Sequence, residues 1–217
     1  MDIELARSNM IEQQIRTWDV LDMDVLELLN ELHRENFIPD EYRDLAFTDM
    51  PIPIGHQQYT MTPKVEARLL QSLKLKSNEK VLEVGTGCGY LTALLAKSAN
   101  HVKSIDIYPD FVTSASNKLS SAGFTNVELE CIDVYELLDI TENFDAIVLT
   151  ASLPKFDDRF LNLLNENGRI FMIIGDSPAM EAGLYTKHDN DYTKQASLFE
   201  TDLPALVGSP KKDKFEF

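Results

Sequence analysis

Residues Lys80 to Tyr90 read KVLEVGTGCGY, and the order of residue types in that stretch decides the fold. Val81, Leu82 and Val84 are the apolar β-formers of a buried strand. Gly85, Gly87 and Gly89 follow at alternate positions, and an apolar helical run continues from Leu91 to Lys97. Glycines at such a break let a ligand lie against bare backbone, because no Cβ stands in the way. A strand that breaks into this kind of loop and then a helix points to a nucleotide-like ligand.

Spacing narrows the ligand. The dinucleotide fingerprint G-x-G-x-x-G needs a glycine or alanine three residues after its second glycine, and that position is Tyr90. A phosphate-binding G-x-x-x-x-G-K-[ST] loop is excluded, since no Gly-Lys-Ser or Gly-Lys-Thr occurs. The remaining pattern, E-x-G-x-G-x-G from Glu83 to Gly89, resembles the first motif of class I methyltransferases, which use S-adenosylmethionine. That cofactor carries a sulfonium, an ammonium and a ribose diol but no phosphate, so it calls for acidic side chains beside backbone amides. Glu83 stands at the end of this strand, the segment His101 to Ile105 delivers Asp106, and Val127 to Ile132 ends at Asp133. Any one of these acids has a plain alternative as a helix cap or turn closer. Three at successive strand ends beside a glycine loop form a constellation.

Outward from the loop the pattern repeats as strand, loop and helix. Strands are expected at 80–84, 102–106, 127–132, 145–150 and 168–174, with helices between them. Continuous apolar runs such as Ala146–Leu149 and Ile170–Ile174 imply a parallel sheet covered on both faces. Gly183–Lys187 and Gln195–Thr201, separated by the turn-like Asp189-Asn190-Asp191, read as an antiparallel hairpin closing the sheet. The N-terminal part, Glu4 to His33, has apolar residues at helical spacing broken at Thr17-Trp18-Asp19, giving two helices, the second capped by Asp22 or Asp24. The proline-rich stretch Met50 to Gly55 then leads through His56–Thr62 to a helix beginning at Pro63, with Thr62 as its N-cap. The expected architecture is an α/β, Rossmann-like, mostly parallel seven-stranded sheet with helices on both faces. Residues 1–62 form a helical extension and substrate loop, residues 63–217 the core, in one structural domain overall.

The net charge of −16 over 217 residues repels phosphate backbones and disfavours a nucleic-acid partner. No [DN]-P-P-[YF] follows the fourth core strand, which continues as Thr150-Ala151-Ser152-Leu153-Pro154. Cys88 and Cys131, the only cysteines, have no metal-ligand spacing and are expected to be reduced thiols; no metal is expected. The N-terminus lacks a signal-like apolar core and nowhere do eighteen apolar residues run together, so a cytoplasmic protein without a membrane partner is expected, as a monomer or weak dimer.

With these motifs in hand, nearly the whole chain resembles the protein-L-isoaspartate O-methyltransferase family. Arg7, Met10 and Gln14 match its N-terminal R-x-x-M-x-x-x-Q pattern, Pro51, Pro53, Ile54 and Gly55 its P-x-P-I-G element, and Val81–Tyr90 its V-L-E-[IV]-G-T-G-x-G-Y motif. The resemblance implies S-adenosylmethionine contacts at Glu83, Gly85, Thr86, Gly87, Gly89, Asp106, Ile107, Ile132 and Asp133. It departs in the substrate loop. The family's G-x-G-Q-T-I-S-Q-P reads here G-H-Q-Q-Y-T-M-T-P, so Gln57 replaces a glycine and Met61 the serine that donates to the reacting carboxylate. Thr60 and Thr62 are the candidate replacements within the Gly55–Pro63 loop, or else a strand residue and a helix cap. Methyl transfer to a carboxylate needs no general base, because the acceptor is ionised at neutral pH; holding the reacting atoms in line suffices. The resemblance therefore implies an O-methyltransferase acting on a protein or peptide carboxylate, with L-isoaspartyl residues of damaged proteins as first candidate. Met61 leaves two alternatives open, a different small-molecule or protein acceptor and a cofactor-binding protein that transfers no methyl.

Overall fold

Alternation along the central strands assigns the two faces of the sheet. On β3 (Lys80–Val84) Val81 joins one apolar cluster while Leu82 and Val84 join the other; on β6 (Phe144–Leu153) Ala146 and Val148 oppose Ile147 and Leu149 in the same way. β7 (Leu164–Asp176) repeats the split, with Phe171 and Ile173 on the first face and Ile170 and Met172 on the second. Both faces are therefore buried, and the strand centres are largely apolar, with Glu83 the buried exception on β3. The computed structural model describes residues 2–136, 140–189 and 191–210.

With β4 (His101–Asp106), β5 (Val127–Cys131), β8 (Ala179–His188) and β9 (Asp191–Thr201), the described residues form one seven-stranded sheet of order β5-β4-β3-β6-β7-β8-β9. The first five strands in this order are parallel, β8 is antiparallel to β7, and β9 to β8. The closing hairpin is longer than its sequence pattern suggests, because pairing runs from Asp176 opposite Ala179 and, on the next ladder, from His188 opposite Asp191. Asn190, the centre of the expected turn, lies outside the described residues.

From β3 the chain moves outward through β4 to β5, then returns and moves the other way through β6 to β7. Right-handed crossovers put the two sets of connections on opposite faces. Accordingly α4 (Tyr90–Ser98) and α5 (Pro109–Ser121) lie on the first face, and the β6–β7 link lies on the second. That link holds no α-helix. Its short 3-10 helix, Asp158–Leu163, buries Phe160, Leu161 and Leu163 after Asp157 caps its start through Arg159 N. Pro154 and a connection too short for an α-helix of ordinary length account for the difference.

The N-terminal extension packs on the first face. α1 (Ile3–Asn9) continues through a π-turn and a 3-10 turn to Asp19, whose φ of 59° ends the run. Asp22 caps α2 (Met23–Glu31), accepting from Asp24 N and Val25 N. A hairpin of β1 (Pro53–Gly55) and β2 (Gln58–Tyr59) precedes α3 (Pro63–Leu73). Buried Arg34 ties these pieces together. Its Nε donates to Glu66 at 3.1 Å, and its other nitrogens donate to Ala46 O, Met61 O and Thr60 Oγ1. Burial opposes its charge, but the adjacent Glu66 carboxylate more than compensates and raises the guanidinium pKa.

Candidate active site

The order of strands reverses between β3 and β6, and ligands in open α/β sheets settle outside the carboxyl ends of strands at such a switch. Here that crevice is lined by Gly85 and Gly87 after β3, Asp106 and Ile107 after β4, Ile132 and Asp133 after β5, and Thr150 after the core of β6. The glycines are required by geometry. Gly85 has φ +101°, and a Cβ on it would collide with Thr150 Oγ1, which donates to Val84 O and Gly85 O at 3.0 and 2.9 Å. Gly89 has φ +85°, and a Cβ there would stand 2.9 Å from that of Ala115 on α5.

Asp106 shapes the loop as well as facing the crevice. Its Oδ2 accepts from Gly87 N at 2.9 Å and its Oδ1 from Tyr108 N at 3.0 Å. Burial pushes its carboxyl above the ordinary value, opposed by these backbone donors. Asp133 closes a turn by accepting from Tyr135 N at 2.8 Å. Glu83, Thr86 and Gly89 lie behind the wall. Glu83 is 0% exposed; its Oε2 accepts from Thr92 Oγ1 at 2.5 Å and Ser104 Oγ at 2.6 Å, and Ser104 is joined in turn to Thr86 Oγ1 at 2.6 Å. This chain of hydroxyls pins α4 and the glycine loop to β4. Glu83 Oε1 is buried and has no hydrogen-bond partner among the described residues, and burial pushes the carboxyl up to about 8.

The opposite wall comes from the β1–β2 hairpin and from the segment after β9. His56 and Gln57, at the hairpin tip, have φ of 50° and 58°, a left-handed pair usually reserved for Asn-Gly. The His56 ring stacks on Tyr108 with centroids 4.0 Å apart, and its Nε2 meets both carboxylate oxygens of Asp110 at 3.0 Å. This contact lowers the Asp110 pKa. The hairpin is thereby latched onto the start of α5, across the crevice from the glycine loop. From the other side, residues 203–207 lie along the end of β6: Ser152 N donates to Pro204 O, Leu206 N to Ser152 O, and Ser152 Oγ to Leu203 O. Between these covers the crevice has a free volume of only about 90 Å³, and it adjoins a second chamber of about 980 Å³, lined chiefly by apolar groups including Pro51, Met180 and Pro204.

The two threonines expected beside an acceptor are placed elsewhere. Thr60 Oγ1 is buried, accepting from Ile52 N and Arg34 Nη2, because the buried guanidinium needs acceptors. Thr62 occupies the N-cap position of α3, but its side chain makes no capping bond and, among the described residues, its buried Oγ1 has no partner. Met61 is 6% exposed, and its carbonyl serves Arg34. None of the three lines either cavity. Residues that do, but that motif spacing left unmarked, are Tyr59, Tyr108, Thr150 and Leu203–Val207. The aromatic Tyr59 beside Gln58 is the available signal; the 203–207 segment has none, since it reads as an ordinary loop.

Comparison with known proteins agrees with this geometry. The sequence profile of the protein-L-isoaspartate(D-aspartate) O-methyltransferase family matches residues 5–209. The chain belongs to this family. Among its relatives, protein-L-isoaspartate O-methyltransferase 2 of Shewanella sediminis is 35% identical over 188 residues, covering 86% of this chain and 77% of that one. Protein-L-isoaspartate O-methyltransferase 1 of Syntrophobacter fumaroxidans is 35% identical over 181 residues, covering 83% and 85%. A Plasmodium falciparum protein described as a family member, crystallised with S-adenosyl-L-homocysteine, superposes with a TM-score of 0.78 at 21% identity over 92% of this chain and 97% of that one. The fold is thus that of a class I methyltransferase, with its mostly parallel sheet and N-terminal helical extension. Both cysteines are free, and among the described residues no helix is long and apolar enough to cross a membrane.

Proposed function

We propose that this protein is an S-adenosylmethionine-dependent O-methyltransferase that methylates the carboxylate of L-isoaspartyl residues in proteins. The observation that carries the reading is the meeting, in one crevice at the sheet's switch point, of the glycine loop, the Asp106 carboxylate and Asp133, with a roomy chamber alongside. The donor set fits the cofactor. Asp106 offers a buried carboxylate to a ribose diol, and hydroxyl donors there would favour its charged form, which burial alone disfavours. Ile107 and Ile132 supply apolar surface for an adenine, Asp133 an acceptor at its edge, and Gly85 and Gly87 a backbone that a Cβ would obstruct. Glu83, Thr86 and Gly89 support these groups from behind. When bound, the cofactor supplies an electrophilic methyl on a sulfonium. The protein's share is to hold the ionised acceptor in line and to exclude water beneath the hairpin and the 203–207 segment.

The acidic net charge supports a protein rather than a nucleic-acid acceptor, and the free thiols agree with a cytoplasmic setting. We expect a monomer or weak dimer. The test is incubation with methyl-labelled S-adenosylmethionine and an isoaspartyl peptide. Base-labile ester, read as volatile labelled methanol above an aspartyl-peptide control, is the expected result, and no excess over that control refutes the substrate.

A further inference from the structure

Under this reading the transferred methyl must meet the acceptor where the cofactor crevice opens into the larger chamber. The residues common to both linings are Tyr59, Leu203 and Pro204. A carboxylate arriving there needs a hydrogen-bond donor to fix which oxygen points at the methyl. Leu203 N already donates to Met180 Sδ, and Pro204 has no N–H. Of the other wall hydroxyls, Thr150 is committed to Val84 O and Gly85 O, Ser152 to Leu203 O and Ser177 to Asp202, while Tyr108 lines only the crevice and Ser209 only the larger chamber, so neither stands at the junction. The Tyr59 side chain is 47% exposed, and among the described residues its phenol has no hydrogen-bond partner.

We propose that the Tyr59 phenol is the donor that orients the acceptor carboxylate, in place of a hydroxyl at position 61, and that the larger chamber takes the residues flanking the methylated one. The position is held from below. Thr60, the next residue, is fastened through its N–H to Ile52 O and through its hydroxyl to Ile52 N and Arg34, so the backbone from which Tyr59 projects is rigid. The buried Met61 is then part of the foundation of this platform. The proposal rests on the carboxylate methyltransferase reading and adds to it the identity of the donor.

The experiment compares the full-length protein with Tyr59→Phe, which keeps the ring and removes only the hydroxyl. The readouts are methyl transfer to an isoaspartyl peptide and S-adenosylhomocysteine affinity by calorimetry. Tyr59→Phe is expected to lower kcat/KM by roughly 10- to 150-fold, the worth of a hydrogen bond to a charged group, with cofactor-product affinity within about twofold of wild type. Adding Met61→Ser to Tyr59→Phe is expected to restore nothing, because position 61 does not reach the cavities. Unchanged kcat/KM in Tyr59→Phe, rescue by Met61→Ser, or a parallel loss of S-adenosylhomocysteine binding each overturns the proposal while leaving the methyltransferase reading standing. An inactive wild type that still binds S-adenosylhomocysteine removes the isoaspartyl reading, and this proposal with it.

Discussion

The two walls of the crevice are held by different means. On the side proposed for the cofactor, Gly85, Asp106 and Asp133 sit at or just beyond the ends of parallel strands. The loop is pinned by short backbone bonds and by the hydroxyl chain through Ser104 to Glu83. On the acceptor side, a two-strand hairpin and a segment after the last strand are brought together from distant parts of the chain. The segment is bonded to Ser152, and the hairpin is fastened by the buried Arg34–Glu66 pair at its root and by exposed His56 contacts to Asp110 and Tyr108 at its tip. The first wall inherits its rigidity from the sheet. The second has a rigid root and a lightly fastened tip, so it is the wall expected to give when a ligand enters a crevice with only about 90 Å³ free, well below the ~300–1,000 Å³ usual for ligand sites.

The largest effect should come from the root. Arg34→Met leaves Glu66 buried and unpaired and is expected to cost about 3–5 kcal/mol, read by urea denaturation. A loss under ~1 kcal/mol would mean that the acceptor wall does not depend on this pair. The cofactor wall carries the next, pH-dependent effect. Glu83 titrates near 4.5 when unfolded and is raised to about 8 in the native protein, so between those values the folded state holds the extra proton. Stability therefore falls as pH rises through this window, by up to ~1.4 kcal/mol per pH unit from this group alone. Glu83→Gln, which mimics the protonated form, should remove that slope, and its melting temperature relative to wild type should climb from pH 6 to pH 9. A constant difference would show that Glu83 is already ionised at neutral pH.

Asp106→Ala tests the same wall as a binding surface. It should weaken S-adenosylhomocysteine by roughly 10- to 100-fold, the worth of hydrogen bonds to a charged group; calorimetry yielding wild-type affinity would place the ligand elsewhere. The smallest effect belongs to the tip. His56→Ala removes an exposed, salt-screened contact, so melting should hardly change while S-adenosylhomocysteine dissociates faster in stopped flow. Unchanged dissociation would show that the hairpin is not what holds the crevice closed.

The same contrast explains what could be read without coordinates. β3, β6 and β7 are largely apolar runs ending in glycine or threonine, and β4 carries Val102 and Ile105 before Asp106, so strand patterning locates both the sheet and the ends that carry Gly85, Asp106 and Thr150. The N-terminal helices follow from their apolar spacing, whereas the choice between Asp22 and Asp24 as cap of the second needs the structure, in which it is Asp22. The acceptor wall offers no comparable pattern. Thr60 and Thr62 are the aliphatic hydroxyls of the loop, yet a buried Arg34 claims one and packing encloses the other; only the fold shows that the loop side chain lining both cavities is Tyr59. The 3-10 helix between β6 and β7 was hidden because residues 156–164 have helix-like apolar content in a link too short for an α-helix to develop.

The bonds between Ser152 and residues 203–206 also set an order of assembly. The glycine loop, Asp106 and Asp133 are all synthesised before β6, but the segment that covers the end of β6 follows the whole β8–β9 hairpin. A chain emerging from the ribosome therefore has its cofactor loop well before it has a complete reaction chamber. Methyl-transfer competence is therefore expected late, once every strand of the sheet is in place.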